Sequence, residues 1–290
     1  MDMNYLFSVL IANYNNGKYI EDAISSIMKQ TYNSWEIILV DDCSSDNSKD
    51  IYKKYEGLPN IHIYYNDSNH GCGYTKRRCA ELANGEICGF LDPDDTLEPD
   101  ALEVMVKAHE EDKSLSMVYS MSNIVDQDLK FISVSKLQHE IPNGSSFLEE
   151  GYCISHFVSF KRIAYKKTPG IDPTFLRAVD HNMYLMLEEV GNVKFVKKEL
   201  YNYRTNTGSN ISLGDNGDKA YIWHITAMID ACRRRNLPIE DIVLNDLNKF
   251  IKTKTGGAVR SVLKTKDFRL GNTILKPIRA IKRVFSVLRK

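Results

Sequence analysis

The sequence has 290 residues, of which 43% are hydrophobic and 26% are charged, as is typical of a globular protein with a sizeable core. The formal net charge is zero, which excludes a strong overall field toward nucleic acid, and no run of about 18 apolar residues could cross a bilayer. The six cysteines show no CxxC pair or zinc spacing, and the N-terminus lacks the pattern of a signal peptide. We therefore predict a cytoplasmic protein with free thiols.

Strands and helices alternate regularly through the first half of the chain. Short apolar runs predict strands, and apolar residues at helical spacing predict helices. The predicted strands are 7–12, 35–42, 60–66 and 86–92, and the helices that follow them are 19–30, 46–55, 73–85 and 99–112. Four such units predict an α/β fold, with a mostly parallel central sheet that is flanked by helices.

The second half is less regular. We predict strands over 114–126 and 130–135, joined as a hairpin across "DQD", and then no periodic element over 136–152. A helix over 181–191, an extended segment over 193–204 and an amphipathic helix over 219–236 follow.

Polar side chains follow each of the first four strands. They are Asn13, Tyr14, Asn15 and Asn16; Asp41, Asp42, Ser44 and Ser45; Asn66, Asp67, Asn69, His70 and Gly71; and Asp92, Asp94 and Asp95. Right-handed crossovers place all four loops along the edge formed by the carboxyl ends of the strands, where such sheets bind ligands. We therefore expect one polar binding site at this edge.

The segment "GFLDPDDTLEPD" places three carboxylates, Asp92, Asp94 and Asp95, directly after the fourth strand. Like charges this close raise one another's pKa unless a positive charge lies among them. Three interpretations are open: a solvated acidic turn, a divalent metal site with oxygen ligands, or a general acid/base pair of the kind used in glycoside hydrolysis.

Glycine-rich phosphate loops do not occur where they would be expected. "ANYNNGKYI" after the first strand has one glycine, and "HGCGYTK" is neither a dinucleotide fingerprint nor a Walker A loop. A diphosphate would therefore need another source of positive charge, such as a metal ion on the acidic edge with help from Lys76, Arg77 or Arg78.

The stretch from "FSVLIANYNNGKYIEDAISSIMKQTYNSWEIILVDDCSSDNS" to "NHGCGYTKRRCAELANGEICGFLDPDD" resembles the family 2 glycosyltransferases, which have the GT-A fold. The resemblance is close over residues 7–105, weaker over 156–204, and absent after about residue 235. It implies inverting transfer of a sugar from a nucleotide diphosphate donor, usually a UDP-sugar, to a hydroxyl acceptor. Mn²⁺ or Mg²⁺ would bind with the two donor phosphates and supply the positive charge missing from the acidic segment.

The resemblance also implies donor contacts for particular residues. Tyr14 would stack on the uracil ring, Asp42 would accept the uracil N3–H, and Asp41 would support Asp42 or the ribose. The alternatives are a core tyrosine and two carboxylates that cap the loop before the second helix. Lys76 and Arg77 occupy positions where the family often has Arg and Asn, so either could reach the donor, or both could be solvated.

In the acidic segment the resemblance assigns Asp92 to the ribose or sugar and Asp94 to the metal. Asp95 would bind the metal or hold the loop. The general base would be Asp180, at the start of a helix where an N-cap is the alternative, and Glu188 is a weaker candidate.

Other residues of the second half are weaker candidates. His156 is an acceptor-side candidate or a surface histidine, and Arg204 and Ser209 are candidate phosphate contacts. Asn206 stands where the family often has histidine. Trp223 and His224 are expected to serve packing.

The predicted organisation is a nucleotide-sugar-binding half over 1–125, an acceptor-binding half over 126–235 and a basic helical extension over 236–290. Residues 272–290 have an amphipathic pattern that suits an anionic membrane surface or the acidic body, which would fit a lipid-linked saccharide acceptor in surface polysaccharide or glycolipid synthesis. Two alternative functions stay open at this point, a sugar-nucleotide pyrophosphorylase and a non-catalytic sugar or nucleotide binding module.

Overall fold

The computed structural model describes residues 5–205, 207, 217–239, 241–244, 246 and 247. The strands of this part are β1 (Phe7–Asn13), β2 (Trp35–Asp41), β3 (Ile61–Tyr65), β4 (Ile87–Phe90), β5 (Thr96–Leu97), β6 (Leu115–Val125), β7 (Phe131–Val134), β8 (Val158–Lys161) and β9 (Asn192–Arg204). The helices are α1 (Ile20–Met28), α2 (Ser48–Tyr52), α3 (Cys72–Leu82), α4 (Ala101–Glu111), α5 (Phe147–Glu150), α6 (Arg162–Tyr165), α7 (Val179–Glu188) and α8 (Gly217–Arg234).

The first four long strands form the parallel part of the sheet, in the spatial order β3–β2–β1–β4. β1 and β2 are buried along nearly their whole length, which is why both are continuous apolar runs rather than alternating ones. Their register pairs Asn13 with Asp41, so the polar residues after both strands lie at one edge of the sheet. The predicted convergence of these loops is therefore confirmed.

Beyond β4 the sheet becomes mixed. β8 lies antiparallel between β4 and β6, whereas β9 runs parallel to β6 and antiparallel to β5. Gly89 of β4 makes this arrangement possible, because a Cβ there would come within 3.0 Å of the Phe157 ring just before β8. The predicted hairpin of β6 and β7 is confirmed, but the sequence interpretation missed β5, β8, α5 and α6, each of which has four residues or fewer.

The helices cover the sheet with apolar faces. The buried side of α1 consists of Ile20, Ala23, Ile24 and Ile27, which join the core cluster built on β1 and β2. α4 contributes Leu102 and Met105 to the same cluster. This core fixes the strand ends on which the polar loops are mounted.

The chain divides into two compact units, Met1–Asn210 and Ile211–Lys290. The second contains α8, where Tyr221, Ile225, Met228, Ile229 and Cys232 are buried, as its apolar stripe predicts. No helix of the described residues is long and apolar enough to cross a membrane. The predicted amphipathic segment 272–290 lies outside those residues, and the predicted domain boundaries at 125 and 235 stay predictions.

Candidate functional site

Two loops at the carboxyl ends of β1 and β2 are tied together by buried hydrogen bonds. Asp41 is fully buried; its Oδ1 accepts from the Ser44 amide at 2.8 Å and its Oδ2 from the Tyr52 hydroxyl at 2.9 Å. The side-chain amide of Asn13 donates to the same Tyr52 hydroxyl at 2.6 Å. Asp41 thus caps the loop after β2, as the alternative interpretation expected, and we call residues 13–17 and 41–48 the nucleotide loops.

Asp42 holds the next loop along the edge. Its two oxygens accept from the backbone amides of His70 and Gly71 at 2.9 and 2.8 Å, and from the side chain of Asn66 at 2.7 Å. Gly71 has a φ of 91°, a conformation that favours glycine, directly before α3. The assignment of Asp42 to the uracil stays a prediction, and it has to coexist with these three bonds.

Tyr14 and Arg77, two of the residues predicted to contact the donor, have different surroundings. The Tyr14 side chain is 46% exposed at the end of β1, which leaves its ring accessible for stacking on a base. Arg77 instead pairs with Glu81 at 2.8 Å and donates to the Ile171 carbonyl at 3.1 Å. The Arg77 guanidinium therefore supports the segment before α7.

Lys76 is the buried cation of the acidic edge. Its Nζ lies 2.8 and 2.9 Å from the two carboxylate oxygens of Asp180 and 3.1 Å from Oδ1 of Asp92. The ammonium also lies 5.1 Å from the centre of the Phe90 ring. Burial opposes its charge, but Asp180 and Asp92 raise the pKa of Lys76 well above its ordinary value.

Gly73 allows α3 to approach the chain that leads to Asp180. Its amide donates to the Phe175 carbonyl at 3.0 Å, and a Cβ at this position would lie 2.4 Å from that oxygen and 2.6 Å from the Asp172 carbonyl. The second glycine of "HGCG" is therefore explained by this close approach. It brings the start of α7 against the helix that carries Lys76.

His156 completes the group of charges. Its Nε2 lies 3.3 Å from Oδ2 of Asp92, its ring stacks on Tyr201 at 5.2 Å, and its side chain is only 14% exposed. Burial opposes protonation, but the charge of Asp92 and their hydrogen bond raise the pKa of His156 to about 8. The surface-histidine interpretation was therefore wrong. We call Asp92, Lys76, His156 and Asp180 the charge junction.

Asp92 is stabilised as a carboxylate within this junction. Burial favours its neutral form, but the charges of Lys76 and His156 hold its pKa well below the ordinary value. Part of the positive charge that the sequence interpretation assigned to a metal ion is thus supplied by these two side chains.

Asp95 turns away from this junction into the core. It is 2% exposed; its Oδ1 accepts from the Arg204 amide and its Oδ2 from the Tyr201 hydroxyl, both at 2.7 Å. Burial, with the charges of Asp94 and Asp92, raises its pKa well above the ordinary value. Of its two predicted roles, these contacts favour holding the loop to β9.

Asp94 is partly exposed, and its Oδ2 accepts from the Thr207 hydroxyl at 2.9 Å. Among the residues that the structure describes, no group of three or more His, Cys, Asp or Glu side chains is arranged to hold a metal ion. Mg²⁺ is commonly bound by one or two carboxylates together with substrate phosphates. The oxygen donors of the acidic segment fit a site of that kind, which the phosphates of a donor would complete.

Two of the weaker candidates have other partners. The Arg204 guanidinium lies 2.8 Å from Asp22 and donates to the Gln127 carbonyl at 3.1 Å, while Glu188 accepts from the Phe147 amide at 2.6 Å. Trp223 and His224 are buried in α8, as expected for packing. Asn206 and Ser209 lie outside the described residues.

Sequence reasoning missed Tyr201, whose hydroxyl also accepts from the Asp92 amide at 3.2 Å. Tyr201 lies in the segment "YNYR", which carried the weaker part of the family resemblance, so the resemblance could have marked it as a candidate. Residue spacing could not show that its hydroxyl binds Asp95 in the acidic loop, 106 positions away.

The profile of the family "Glycosyl transferase family 2" matches residues 8–168. The chain belongs to this family, as the motifs predicted. It is 33% identical over 209 residues to chondroitin synthase from Escherichia coli, an alignment that covers 72% of this chain and 30% of the synthase. The chain therefore spans less than a third of the length of that relative.

Solved structures confirm the predicted GT-A fold. S. aureus TarS 1–349, in complex with UDP-GlcNAc, superposes with a TM-score of 0.68 at 20% identity over 85% of this chain and 73% of that chain. The mannosyltransferase PcManGT from Pyrobaculum calidifontis, in complex with GDP-Man and Mn²⁺, gives a TM-score of 0.59 at 14% identity over 93% of this chain and 83% of that chain.

Proposed function

We propose that the protein transfers a sugar from a UDP-sugar to a hydroxyl of a saccharide acceptor, with inversion at the anomeric carbon. The observation that carries the proposal is the charge junction, in which Lys76 bridges Asp92 and Asp180 from segments 88 residues apart in the chain. The candidate base thus lies beside the acidic edge, which argues against a non-catalytic module. A pyrophosphorylase would need a glycine-rich loop after β1, and "ANYNNGKYI" does not supply one.

Asp180 acts as the general base in this proposal. Both of its oxygens accept hydrogen bonds from Lys76, but each carboxylate oxygen has two lone pairs, so an acceptor hydroxyl can still donate to it. Its side chain is 24% exposed, which leaves it accessible. Lys76 holds the carboxylate in place while Asp180 takes the proton of the attacking hydroxyl.

The donor lies along the nucleotide loops, with the uracil on Tyr14 and its N3–H toward Asp42, and with Asp92 toward the ribose or sugar. UDP is favoured because S. aureus TarS, which has the same fold, was solved with UDP-GlcNAc. Asp94 would hold Mn²⁺ or Mg²⁺ together with the donor phosphates, and that cation would neutralise the charge of the departing diphosphate. Asp95 would serve as support.

The acceptor is a growing saccharide in this proposal, because chondroitin synthase is among the relatives. The proposal also includes attachment of this acceptor to a lipid and contact of the basic segment 272–290 with a membrane. That segment lies outside the residues that the structure describes.

The decisive experiment is a panel of UDP- and GDP-sugars incubated with Mn²⁺ or Mg²⁺ and scored for hydrolysis without acceptor and for transfer with a saccharide acceptor. We expect one UDP-sugar to be consumed, with the anomeric configuration inverted in the product by NMR coupling constants. Asp180→Asn should lower transfer by about 10²–10⁴-fold, as expected for loss of a general base. It should retain UDP binding.

Asp94→Asn should abolish the dependence of UDP binding on Mn²⁺. The matched control is Asp50→Asn, on the exposed surface of α2, where the carboxylate pairs with Lys53 at 2.7 Å. Transfer that survives Asp180→Asn at the wild-type rate would refute the assignment of the base. If UDP binds equally well with and without Mn²⁺, and equally well to the wild type and to Asp94→Asn, the metal site is refuted.

A further inference from the structure

The segment around α5 places an exposed aromatic ring beside the start of α7. The Tyr152 side chain is 50% exposed, and its ring centre lies 6.3 Å from that of His181 with an angle of 33° between the planes. His181 directly follows Asp180, the proposed base, in the chain. We call Tyr152 and His181 the aromatic shelf.

The shelf is held by its surroundings. Ser146 and Glu149 form a reciprocal capping box at the start of α5, and the Phe147 amide at that end donates to Glu188 of α7. The Phe147 ring then packs against His181 at 4.8 Å. These contacts fix α5 on α7.

The backbone directly after α5 forms a hydrogen-bonded turn. Gly151 adopts a φ of 80° and donates to the Phe147 carbonyl at 2.8 Å, while the Tyr152 amide donates to the Glu150 carbonyl at 3.1 Å. The Tyr152 ring is therefore presented by an ordered turn. Because the residue is 50% exposed, its ring is accessible to a ligand.

The chemistry of a saccharide matches such a surface. One face of a pyranose ring carries several C–H bonds and is apolar, whereas its edge carries the hydroxyls. An exposed tyrosine ring can cover the apolar face and lose its own contact with water, while the hydroxyl edge stays free for polar partners. Phe147 of α5 also lies 6.3 Å, centre to centre, from the ring of Tyr184, which is one helical turn after Asp180 on α7. A hydroxyl at that edge would then face the side of α7 that carries Asp180.

We propose that the aromatic shelf is a subsite for a sugar ring of the acceptor, with Tyr152 as the stacking residue that orients the attacking hydroxyl toward Asp180. This inference rests on the proposed function and adds the position of its acceptor. Tyr152 contributes binding and orientation to the reaction, and Asp180 carries out the proton transfer. The donor is bound by other residues, along the nucleotide loops.

The test compares Tyr152→Ala, Tyr152→Phe and the control Phe131→Ala, which removes a 63% exposed ring from β7. Saturation-transfer NMR with methyl β-glycosides of glucose, galactose, N-acetylglucosamine, N-acetylgalactosamine and glucuronic acid, in the presence of UDP and Mn²⁺, measures binding of a sugar ring. We expect transfer from the protein to the ring C–H protons of at least one glycoside. Tyr152→Ala should weaken its binding about tenfold, whereas Tyr152→Phe and Phe131→Ala should stay within twofold of the wild type.

Hydrolysis of the donor, measured in the same samples, separates this inference from the proposed function. Tyr152→Ala should lower glycoside binding far more than it lowers hydrolysis. If no glycoside binds to the wild type, or if Tyr152→Ala binds as well as the wild type, the subsite is wrong even when donor hydrolysis proceeds. If no nucleotide sugar is hydrolysed but a glycoside still binds through Tyr152, the transferase proposal fails and the sugar site stands.

Discussion

The nucleotide loops and the charge junction both contain carboxylates at the same edge of the sheet, but these carboxylates are stabilised in different ways. In the nucleotide loops, Asp41 is bound by an amide three residues along the chain and by the hydroxyl of Tyr52, which lies 11 residues away. In the charge junction, Asp180 is bound by an ammonium 104 residues away. The first region is built within adjacent strand–helix units, and the second depends on how distant segments come together.

The difference has an energetic consequence. A carboxylate that accepts from neutral amides and hydroxyls keeps its stabilisation while the local loop is intact. A buried ion pair that loses one partner leaves an uncompensated charge, which costs more than the missing hydrogen bond. The charge junction should therefore be the more fragile region, both to substitution and to pH.

The largest effect is expected for Lys76→Met, which removes the cation and retains most of the side-chain volume. Asp92 and Asp180 would then repel each other in a partly buried site. The free energy of unfolding should fall by about 3 kcal/mol, and sugar transfer should be lost because Asp180 is no longer held. Urea denaturation and the transfer assay measure the two effects.

The matched control is Lys54→Met, which removes another lysine that pairs with a carboxylate, that of Glu21 at 2.9 Å. The Lys54 side chain is 57% exposed, so this change should cost less than about 1 kcal/mol. Equal losses for the two variants would contradict the contrast between a buried bridge and a surface pair.

Most of the fold could be predicted from the sequence, because its elements are long and locally encoded. β1 and β2 are continuous apolar runs, and α1 shows its buried face in the spacing of Ile20, Ile24 and Ile27. β5 and β8 have only two and four residues, and they are strands because β9, β4 and β6 lie beside them. No periodicity within such short segments could have revealed the mixed half of the sheet.

The site was predictable to a similar extent. Alternation of strands and helices placed Asp41, Asp42 and Asp92 at one edge, and the family resemblance singled out Asp180. Spacing could not reveal that Lys76 joins two of these carboxylates, or that His156 is buried against Asp92, since both contacts are made only after the chain has folded.

A smaller effect is expected from pH, through His156. Its pKa is about 8 in the folded protein and about 6.5 when unfolded, so the folded state binds the proton more tightly. The contribution to stability is fully present below about pH 6.5 and is lost as the pH rises through about 8, with a maximum of about 2 kcal/mol. The difference in unfolding free energy between wild type and His156→Gln should therefore be larger at pH 6 than at pH 9. A difference independent of pH would show that His156 stabilises the fold without its charge.

The smallest expected effects come from a matched pair of buried hydroxyls, that of Tyr52 beside the nucleotide loops and that of Tyr201 beside the charge junction. Tyr52 donates to Asp41 and accepts from Asn13, whereas Tyr201 donates to Asp95 and accepts from the Asp92 amide, and both rings are fully buried. Removing either hydroxyl leaves a buried carboxylate with one partner fewer, so Tyr52→Phe and Tyr201→Phe should each lower the unfolding free energy by about 1–2 kcal/mol.

The two variants should differ in their response to metal. Tyr201 fixes the loop that carries Asp92 and Asp94, so Tyr201→Phe should raise the Mn²⁺ concentration needed for UDP binding several-fold. Tyr52→Phe loosens only the loop after β2, and should weaken UDP binding by a similar factor at every Mn²⁺ concentration. Calorimetric titration of UDP at low and saturating Mn²⁺ distinguishes these patterns. The same Mn²⁺ response in both variants would mean that the two regions act on the nucleotide as one unit, because strain in either loop would then pass along the sheet edge to the other.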